Sequence, residues 1–180
     1  MGESFWDKYF LSFANVIAES SRCLARKVGA IIVRDKSIIS TGKNGPPRGV
    51  PHCNTRYYND YNLIEEFKKL NCDTSKIPDK NICPRKLAGF KSGEGLEWCI
   101  ASHGERSAIV NAAREGVSVK GATLFLSDCG VMCCTPCLIE IINSGIIEVV
   151  TTTPDKYYDI MGEWLVKNSG LIVRRYKIGD

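Results

Sequence analysis

Residues 121–152 read GATLFLSDCGVMCCTPCLIEIINSGIIEVVTT, and this stretch decides the fold. Short apolar runs bounded by glycine and polar residues predict strands over 122–126 and 146–152. Between them, the spacing of apolar residues predicts a helix over 134–143. Strands that are joined through a helix lie parallel in one sheet with a right-handed crossover. The stretch therefore predicts a strand–helix–strand unit.

The same alternation extends on both sides of this unit. Downstream, the pattern predicts a helix over 155–168, with Gly170 just past its end, and a last strand over 171–175. Upstream, it predicts a helix over 101–115 with Ser102 as its N-cap. Helix and strand therefore alternate three times in the second half of the chain.

The first half begins with a helix and a hairpin. Aromatic and aliphatic residues from Phe5 to Ile17 recur at helical spacing and predict an amphipathic helix that ends near Ser21. Apolar runs over 28–33 and 37–41 predict two strands that turn at Arg34-Asp35-Lys36. The complete pattern predicts a three-layer α/β/α fold, with a five-stranded mixed sheet and helices on both faces.

Residues 46–97 interrupt this pattern. The segment is polar and rich in Tyr, Lys, Pro and Gly, and it offers one short helix over 61–70. We expect an insertion packed within a single domain that spans residues 1–180, because the regular alternation resumes directly afterwards.

Cysteine usage limits the class of protein. The 180 residues include nine cysteines but only two histidines, and an odd number of cysteines does not suit a fully paired secreted framework. The N-terminal residues lack the features of a signal peptide, and no run of about 18 apolar residues offers a membrane span. We expect reduced thiols, some of them holding metal, in the cytoplasm.

Net charge says less about partners. Lys and Arg total 24 against 20 Asp and Glu, so the formal charge is +4 without a long basic run. Nucleic-acid-binding proteins usually carry a clustered basic face. A surplus this small is compatible with a phosphorylated small molecule as ligand, and a short single strand stays open as an alternative. We expect no membrane partner and no stable nucleic-acid partner.

Two short segments carry the chemistry. His103 and Glu105 open one predicted helix, and Cys134 and Cys137 open the next, with one strand between them. Both helix starts lie at the carboxyl edge of the parallel strands, where ligands collect. One imidazole and two thiolates are a zinc set that leaves a fourth position for water, and Glu105 is placed to move protons.

Other interpretations of these residues stay open. Cys129 or Cys133 could supply a fourth ligand and close a purely structural zinc site, or Cys133 could replace Cys134 as a ligand. A Cys-x-x-Cys by itself also occurs in redox sites.

These motifs resemble a known family. His103-x-Glu105 followed by Cys-x-x-Cys resembles the zinc-dependent cytidine deaminase superfamily. Within it, the chain is most similar to the phage-type deoxycytidylate (dCMP) deaminases. The similarity lies in KVGAIIV (27–33), IISTGKNGPPRG (38–49), GATL (121–124) and SGI (144–146). Two positions depart from the family pattern: Cys133 stands where Pro is usual, and Gly104 where Ala is usual.

The resemblance implies a reaction. It implies the cytidine-deaminase-like fold and the zinc-dependent hydrolysis of dCMP to dUMP and ammonia, which feeds thymidylate synthesis, with Glu105 as the proton carrier. It also implies that Asn44 binds the deoxyribose and that Arg26 binds the phosphate. Lys27 is the second candidate for the phosphate, and Tyr157 or Tyr158 is a further substrate-binding candidate.

Regulation is implied in the same way. Relatives are typically homo-hexamers that dCTP activates and that dTTP inhibits together with Mg²⁺. By resemblance, the effector candidates are Gly42, Lys43, Gly45 and Arg48 in one loop, and Arg114 further along the chain.

A second, structural zinc occurs in phage-type relatives. One of its ligands matches Cys23, and Cys53 and Cys99 are further candidates. The acidic residue and the histidine of the relatives' set are absent here. His52, Cys72 and Cys83 could belong to a different set.

Two further functions compete with dCMP deamination. A deaminase of tRNA or single-stranded DNA would need a wide basic and aromatic groove, for which Tyr57, Tyr58 and Tyr61 are the best candidates. A binding module with a wholly structural zinc would need a fourth protein ligand.

Overall fold

The computed structural model describes residues 3–73, 82–130, 132–152 and 160–177. The sheet contains five strands: β1 (Gly29–Arg34), β2 (Ser37–Lys43), β3 (Thr123–Leu126), β4 (Glu148–Thr151) and β5 (Ile172–Arg175). The helices are α1 (Glu3–Glu19), α2 (Cys53–Asn59), α3 (Tyr61–Lys69), α4 (Pro84–Leu87), α5 (Gly104–Arg114), α6 (Thr135–Asn143) and α7 (Ile160–Ser169), with a short 3₁₀ helix at Leu96–Trp98.

The strand order confirms the predicted mixed sheet. The strands lie in the order β2-β1-β3-β4-β5. β1 pairs antiparallel with β2 and with β3, whereas β3, β4 and β5 are parallel. The two parallel pairs are those in which a helix joins consecutive strands, as a right-handed crossover requires.

The hairpin turn is one residue shorter than predicted. β1 continues through Arg34, and only Asp35 and Lys36 lie between the strands. Both have positive φ, 52° and 57°, as the two central residues of a type I′ hairpin turn require. The twist of this turn matches the twist of the paired strands, so the hairpin forms although neither residue is glycine.

Helices cover both faces of the sheet. On one face, α1 packs Phe10, Leu11 and Ala14 against Ile31 and Phe125. On the other face, Ala108 of α5 and Leu138 and Ile141 of α6 pack in one core with Ile32 and Leu124. Neighbouring residues along β1 thus point to opposite cores, as the two-residue period of a strand dictates. This arrangement confirms the three-layer α/β/α fold.

Two element predictions are corrected. Helix α5 begins at Gly104 with His103 as its N-cap, so Ser102 is not the cap. Ser102 instead pairs through its backbone with Gly45 in an isolated antiparallel bridge. Within the predicted insertion, α2, α4 and the 3₁₀ helix were not foreseen, because elements of three to seven residues are too short to show a periodic apolar pattern.

The chain divides into two compact units. The first comprises Met1–Ser21, Val28–Asn44 and His103–Asp180 and contains the sheet. The second comprises Arg22–Lys27 and Gly45–Ser102, and the predicted insertion 46–97 lies within it.

The second unit has a small core of its own. Tyr57, Leu63 and Phe67 are buried together in it. Arg56 binds the carboxylate of Asp60 at 2.7 Å, in a pair that lies largely out of solvent.

No helix in the described ranges combines the length and the apolar character needed to cross a membrane.

Candidate active site

The N-termini of α5 and α6 bring the metal-binding candidates together. His103 is the N-cap of α5 and Cys134 is the N-cap of α6, and neither side chain caps its own helix with a hydrogen bond. Pro136 occupies the first turn of α6, where proline costs no helical hydrogen bond. The imidazole and the thiol are therefore available for other interactions.

Three donor atoms converge. His103 Nδ1 lies 3.4 Å from Cys134 Sγ and 3.3 Å from Cys137 Sγ. The three donor atoms all lie within 4.8 Å of one another. No other group of three His, Cys, Asp or Glu residues in the described ranges approaches so closely. One imidazole with two sulfurs is a donor set that zinc prefers, so these residues fit that metal.

The two thiols have opposite acidities. The hydrogen bond from Cys137 lowers the pKa of Cys134 to about 4, with a further contribution from His103. The same hydrogen bond, together with burial, raises the pKa of Cys137. The lowered pKa of Cys134 favours a thiolate beside the imidazole. A divalent cation would also favour loss of the proton of Cys137.

Glu105 lies in the first turn of α5 and is almost completely buried. Its side chain is 4% exposed, and burial raises the pKa of its carboxyl group. Within the described part of the chain, its Oε2 has no hydrogen-bond partner. A buried carboxylate oxygen without a partner is costly to the fold, so it marks a group kept for chemistry or for a ligand.

Cys133 and Cys129 lie outside the donor group. Cys133 is 1% exposed, and burial, with Glu105 second, raises the pKa of its thiol well above the usual value. Cys129 is half-buried beside the core formed by α5 and α6. Neither joins the three donors that meet, so the described residues offer three close protein donors and no fourth.

Sequence reasoning missed an ion pair that joins the two site helices. Arg106 of α5 and Glu140 of α6 lie 2.8 Å apart, and both side chains are partly exposed. Such a pair adds little free energy, but it links the helices that carry the donor atoms. The two charges lie 34 positions apart, and no local sequence pattern links residues at that distance.

Asn44 lies close to this motif. It follows β2 directly and is 7% exposed. Its backbone N–H donates to Val28 O at 3.0 Å. Gly104, between His103 and Glu105, packs so closely on Val28 that an added Cβ would lie 3.1 Å from Val28 O. Val28 therefore connects Asn44 to the start of α5.

Two further residues were predicted to bind the substrate. Arg26 is exposed on the second unit, and Tyr157 lies outside the described residues.

The effector candidates do not share one environment. Gly42 is buried so tightly against Gly104 and Ala108 of α5 that no side chain would fit there. Lys43 donates from Nζ to Ser20 O at 2.9 Å, and Gly45 takes part in the bridge to Ser102. Arg48 is exposed on the second unit, and Arg114, the last residue of α5, pairs with Glu115 at 2.8 Å.

The candidates for a second zinc lie in the second unit. Burial raises the pKa of Cys53, Arg56 lowers it, and the thiols of Cys83, Cys23 and Cys99 raise it further. These three thiols are therefore near enough to Cys53 to change its pKa. Among these described residues, no three sulfur atoms lie within 4.8 Å of one another.

Comparison with protein-family models gives one match. The model described as "Cytidine and deoxycytidylate deaminase zinc-binding region" matches residues 4–153. The match includes β1 to β4 and all four motif residues of the candidate site.

Named relatives agree with this match. A deoxycytidylate deaminase of Mycobacterium phage D29 is 32% identical over 155 residues, which cover 83% of this chain and 96% of the relative. That of Schizosaccharomyces pombe is 31% identical over 171 residues, 95% of this chain but only 44% of the relative. The chain thus spans less than half the length of this fungal relative.

Solved structures agree on the fold. The dCMP deaminase of cyanophage S-TIM5, solved in complex with dCMP and dUMP, superposes with a TM-score of 0.64. The match covers 97% of this chain and 98% of the phage chain at 22% identity.

Proposed function

The chain belongs to the cytidine and deoxycytidylate deaminase family, and on this basis we propose that it hydrolyses dCMP to dUMP and ammonia. The observation that carries the proposal is the close approach of His103 Nδ1 to the sulfurs of Cys134 and Cys137. The buried Glu105 lies two positions after His103 in the sequence. The names of the phage and fungal relatives support dCMP as the substrate.

His103, Cys134 and Cys137 would hold zinc in this proposal. Zinc at such a site acts as a Lewis acid that makes water nucleophilic near neutral pH. The absence of a fourth close donor among the described residues supports a site that is open to substrate, whereas structural zinc sites fill all four positions with protein.

Glu105 would carry the protons. Water adds its oxygen to C4 of the cytosine ring, and the Glu105 carboxylate accepts the proton that this oxygen gives up. Glu105 delivers that proton to N3, and it then takes the remaining proton of the hydroxyl added at C4 and gives it to the amino group. The C4–N4 bond then breaks, ammonia leaves, and C4 keeps the oxygen as the carbonyl of dUMP. The raised pKa of the buried carboxyl suits a group that must both accept and donate protons.

Substrate contacts complete the proposal. Asn44 would bind the deoxyribose, Arg26 the phosphate, and Tyr157 would be a further contact. The hydrogen bond between Asn44 and Val28, on which Gly104 packs, supports its role. The product dUMP is the precursor of thymidylate, so we propose a place in nucleotide synthesis in the cytoplasm.

A substrate panel tests the activity. Purified, zinc-loaded protein is incubated with dCMP, dCTP, cytidine and a cytosine-containing oligonucleotide, and uracil formation is measured. Conversion of dCMP alone supports the proposal. Conversion of the oligonucleotide would favour a polynucleotide deaminase, and a zinc-loaded protein inactive on all four would favour a structural-zinc module.

Regulation is a further part of the proposal. We expect a homo-hexamer that dCTP activates and that dTTP with Mg²⁺ inhibits, through Lys43, Arg48 and Arg114. Rates at subsaturating dCMP should rise with dCTP and fall with dTTP, and Arg114→Ala should weaken both responses. Light scattering gives the subunit number. A rate that does not change with either triphosphate would contradict this part and leave deamination untouched.

A second zinc in the second unit is proposed from the neighbouring thiols of Cys23, Cys53, Cys83 and Cys99. The two most buried of these, Cys53 and Cys83, are 8% and 7% exposed. His52 Nδ1, next to Cys53 in sequence, is buried without a partner among the described residues. Zinc binding would draw these donors closer together.

Zinc content checks this second site. Cys53→Ser should lower bound zinc from two ions per chain to one and lower the melting temperature, with dCMP turnover retained. Cys72→Ser is the matched control, because Cys72 is in the same unit but is not a neighbour of Cys53. A fully active unaltered protein with a single zinc per chain would contradict the second site.

A further inference from the structure

A buried serine holds the side chain of Asn44. Ser21 Oγ donates to Asn44 Oδ1 at 2.7 Å, and it also contacts the backbone oxygen of Asn44 at 2.8 Å. Ser21 and Asn44 are 5% and 7% exposed, so water competes little for these hydrogen bonds. From sequence alone, Ser21 marks only the predicted end of the first helix.

The backbone of Val28 fixes which way the Asn44 amide faces. Val28 N–H lies 2.8 Å from Asn44 Oδ1. A backbone N–H can only donate, so the atom that faces it must be the oxygen and not the amide nitrogen. The oxygen side of the amide is therefore held by Val28 and Ser21, and the Nδ2 side points away from Val28 N–H.

The end of α1 fixes Ser21 in turn. Ser21 N donates to Ala18 O at 2.9 Å, and Ser20 N donates to Ile17 O at 3.1 Å, so the chain turns tightly where the helix ends. The same turn is joined to β2 through Lys43 Nζ and Ser20 O. A hydroxyl on this fixed backbone restrains Asn44 more effectively than a mobile side chain would.

We propose that Ser21 is a positioning residue, which orients Asn44 so that its Nδ2 donates to an oxygen of the substrate's sugar. The inference rests on the proposed function, because it takes Asn44 as a sugar-binding residue. It deepens that function by fixing the polarity of the contact: Asn44 serves as a donor, and the group it recognises must be an acceptor. Ser21 itself does not touch the substrate.

Kinetics and binding of three variants test the proposal. Ser21→Ala should raise the KM for dCMP by about tenfold, as expected for a lost orienting hydrogen bond, and should leave kcat and zinc content close to those of the unaltered protein. The affinity for the product dUMP, measured by calorimetry without turnover, should fall by a similar factor. Ser21→Thr, which keeps the hydroxyl, should restore most of the affinity. Ser20→Ala is the matched control, since the exposed Ser20 Oγ donates to Ile17 O just past the end of α1 and not to Asn44.

A double-mutant cycle separates positioning from a general structural role. In an Asn44→Ala background, Ser21→Ala should have no further effect on dUMP affinity, because there is no amide left to orient. Additive losses would overturn the proposal, as would equal falls in kcat, zinc content and melting temperature in Ser21→Ala. If the unaltered protein neither converts dCMP nor binds dUMP, the proposed function fails and the positioning role fails with it. If it does both and Ser21→Ala binds dUMP normally, the positioning role alone fails.

Discussion

Glu105→Gln is expected to bind zinc normally and to deaminate dCMP about 10²- to 10⁴-fold more slowly than the unaltered protein. Glutamine has nearly the same shape as glutamate, so the buried space beside Cys133 stays filled. Its amide, however, cannot accept and return a proton. The loss should appear in kcat, with dUMP affinity largely retained.

The matched control is Glu163→Gln. Glu163 lies on α7 and pairs with Lys167 in solvent, so its replacement should change neither zinc content nor rate. Zinc analysis and single-turnover rates on all three proteins make the comparison. Near-normal turnover by zinc-loaded Glu105→Gln would remove the proton-carrying role from this residue.

Cys134→Ala and Cys133→Ala are expected to behave in opposite ways, although the two positions are adjacent. Cys134→Ala removes a sulfur that lies 3.4 Å from His103 Nδ1, so the protein should lose the site's zinc and its activity. Cys133→Ala removes a buried thiol outside the donor group, so zinc should stay bound. This variant should be less stable because a small cavity opens in the core.

The zinc content of each variant after extensive dialysis, together with its rate of dCMP turnover, tests this prediction. The reverse outcome, with zinc retained by Cys134→Ala and lost by Cys133→Ala, would show that the ligand assignment is wrong. Loss of zinc in both variants would indicate that the loop before α6 misfolds, and urea unfolding of each would reveal that case.

The sheet was predictable because its signals are local. Five short apolar runs, two joined by a turn and three joined through helices, predict a hairpin and a set of parallel strands in one mixed sheet, and the pairings of β1 with β2 and of β3, β4 and β5 agree with this. In the second unit, α3 matches the helix predicted over 61–70, whereas α2, α4 and the short 3₁₀ helix were not predictable. Helices such as Pro84–Leu87 are too short for a period to emerge, and their stability comes from tertiary packing.

The candidate site, too, was predictable only in part. His103, Cys134 and Cys137 could be grouped from sequence because each sits at the start of a helix at one edge of the sheet. The hydrogen bond from Ser21 to Asn44 spans 23 positions and joins the chain just past α1 to the chain just past β2. Serine is a common residue and Ser21 belongs to no recognisable motif, so the pair is visible only in the folded structure.

The bridge between Gly45 and Ser102 has a consequence for how such proteins diverge. Two backbone hydrogen bonds, of 3.1 and 2.9 Å, join the points where the chain leaves and rejoins the sheet-containing unit. The closure entropy of the segment between them grows only with the logarithm of its length. Evolution can therefore lengthen, shorten or replace this segment at small thermodynamic cost, while Asn44 and His103 on either side keep their positions.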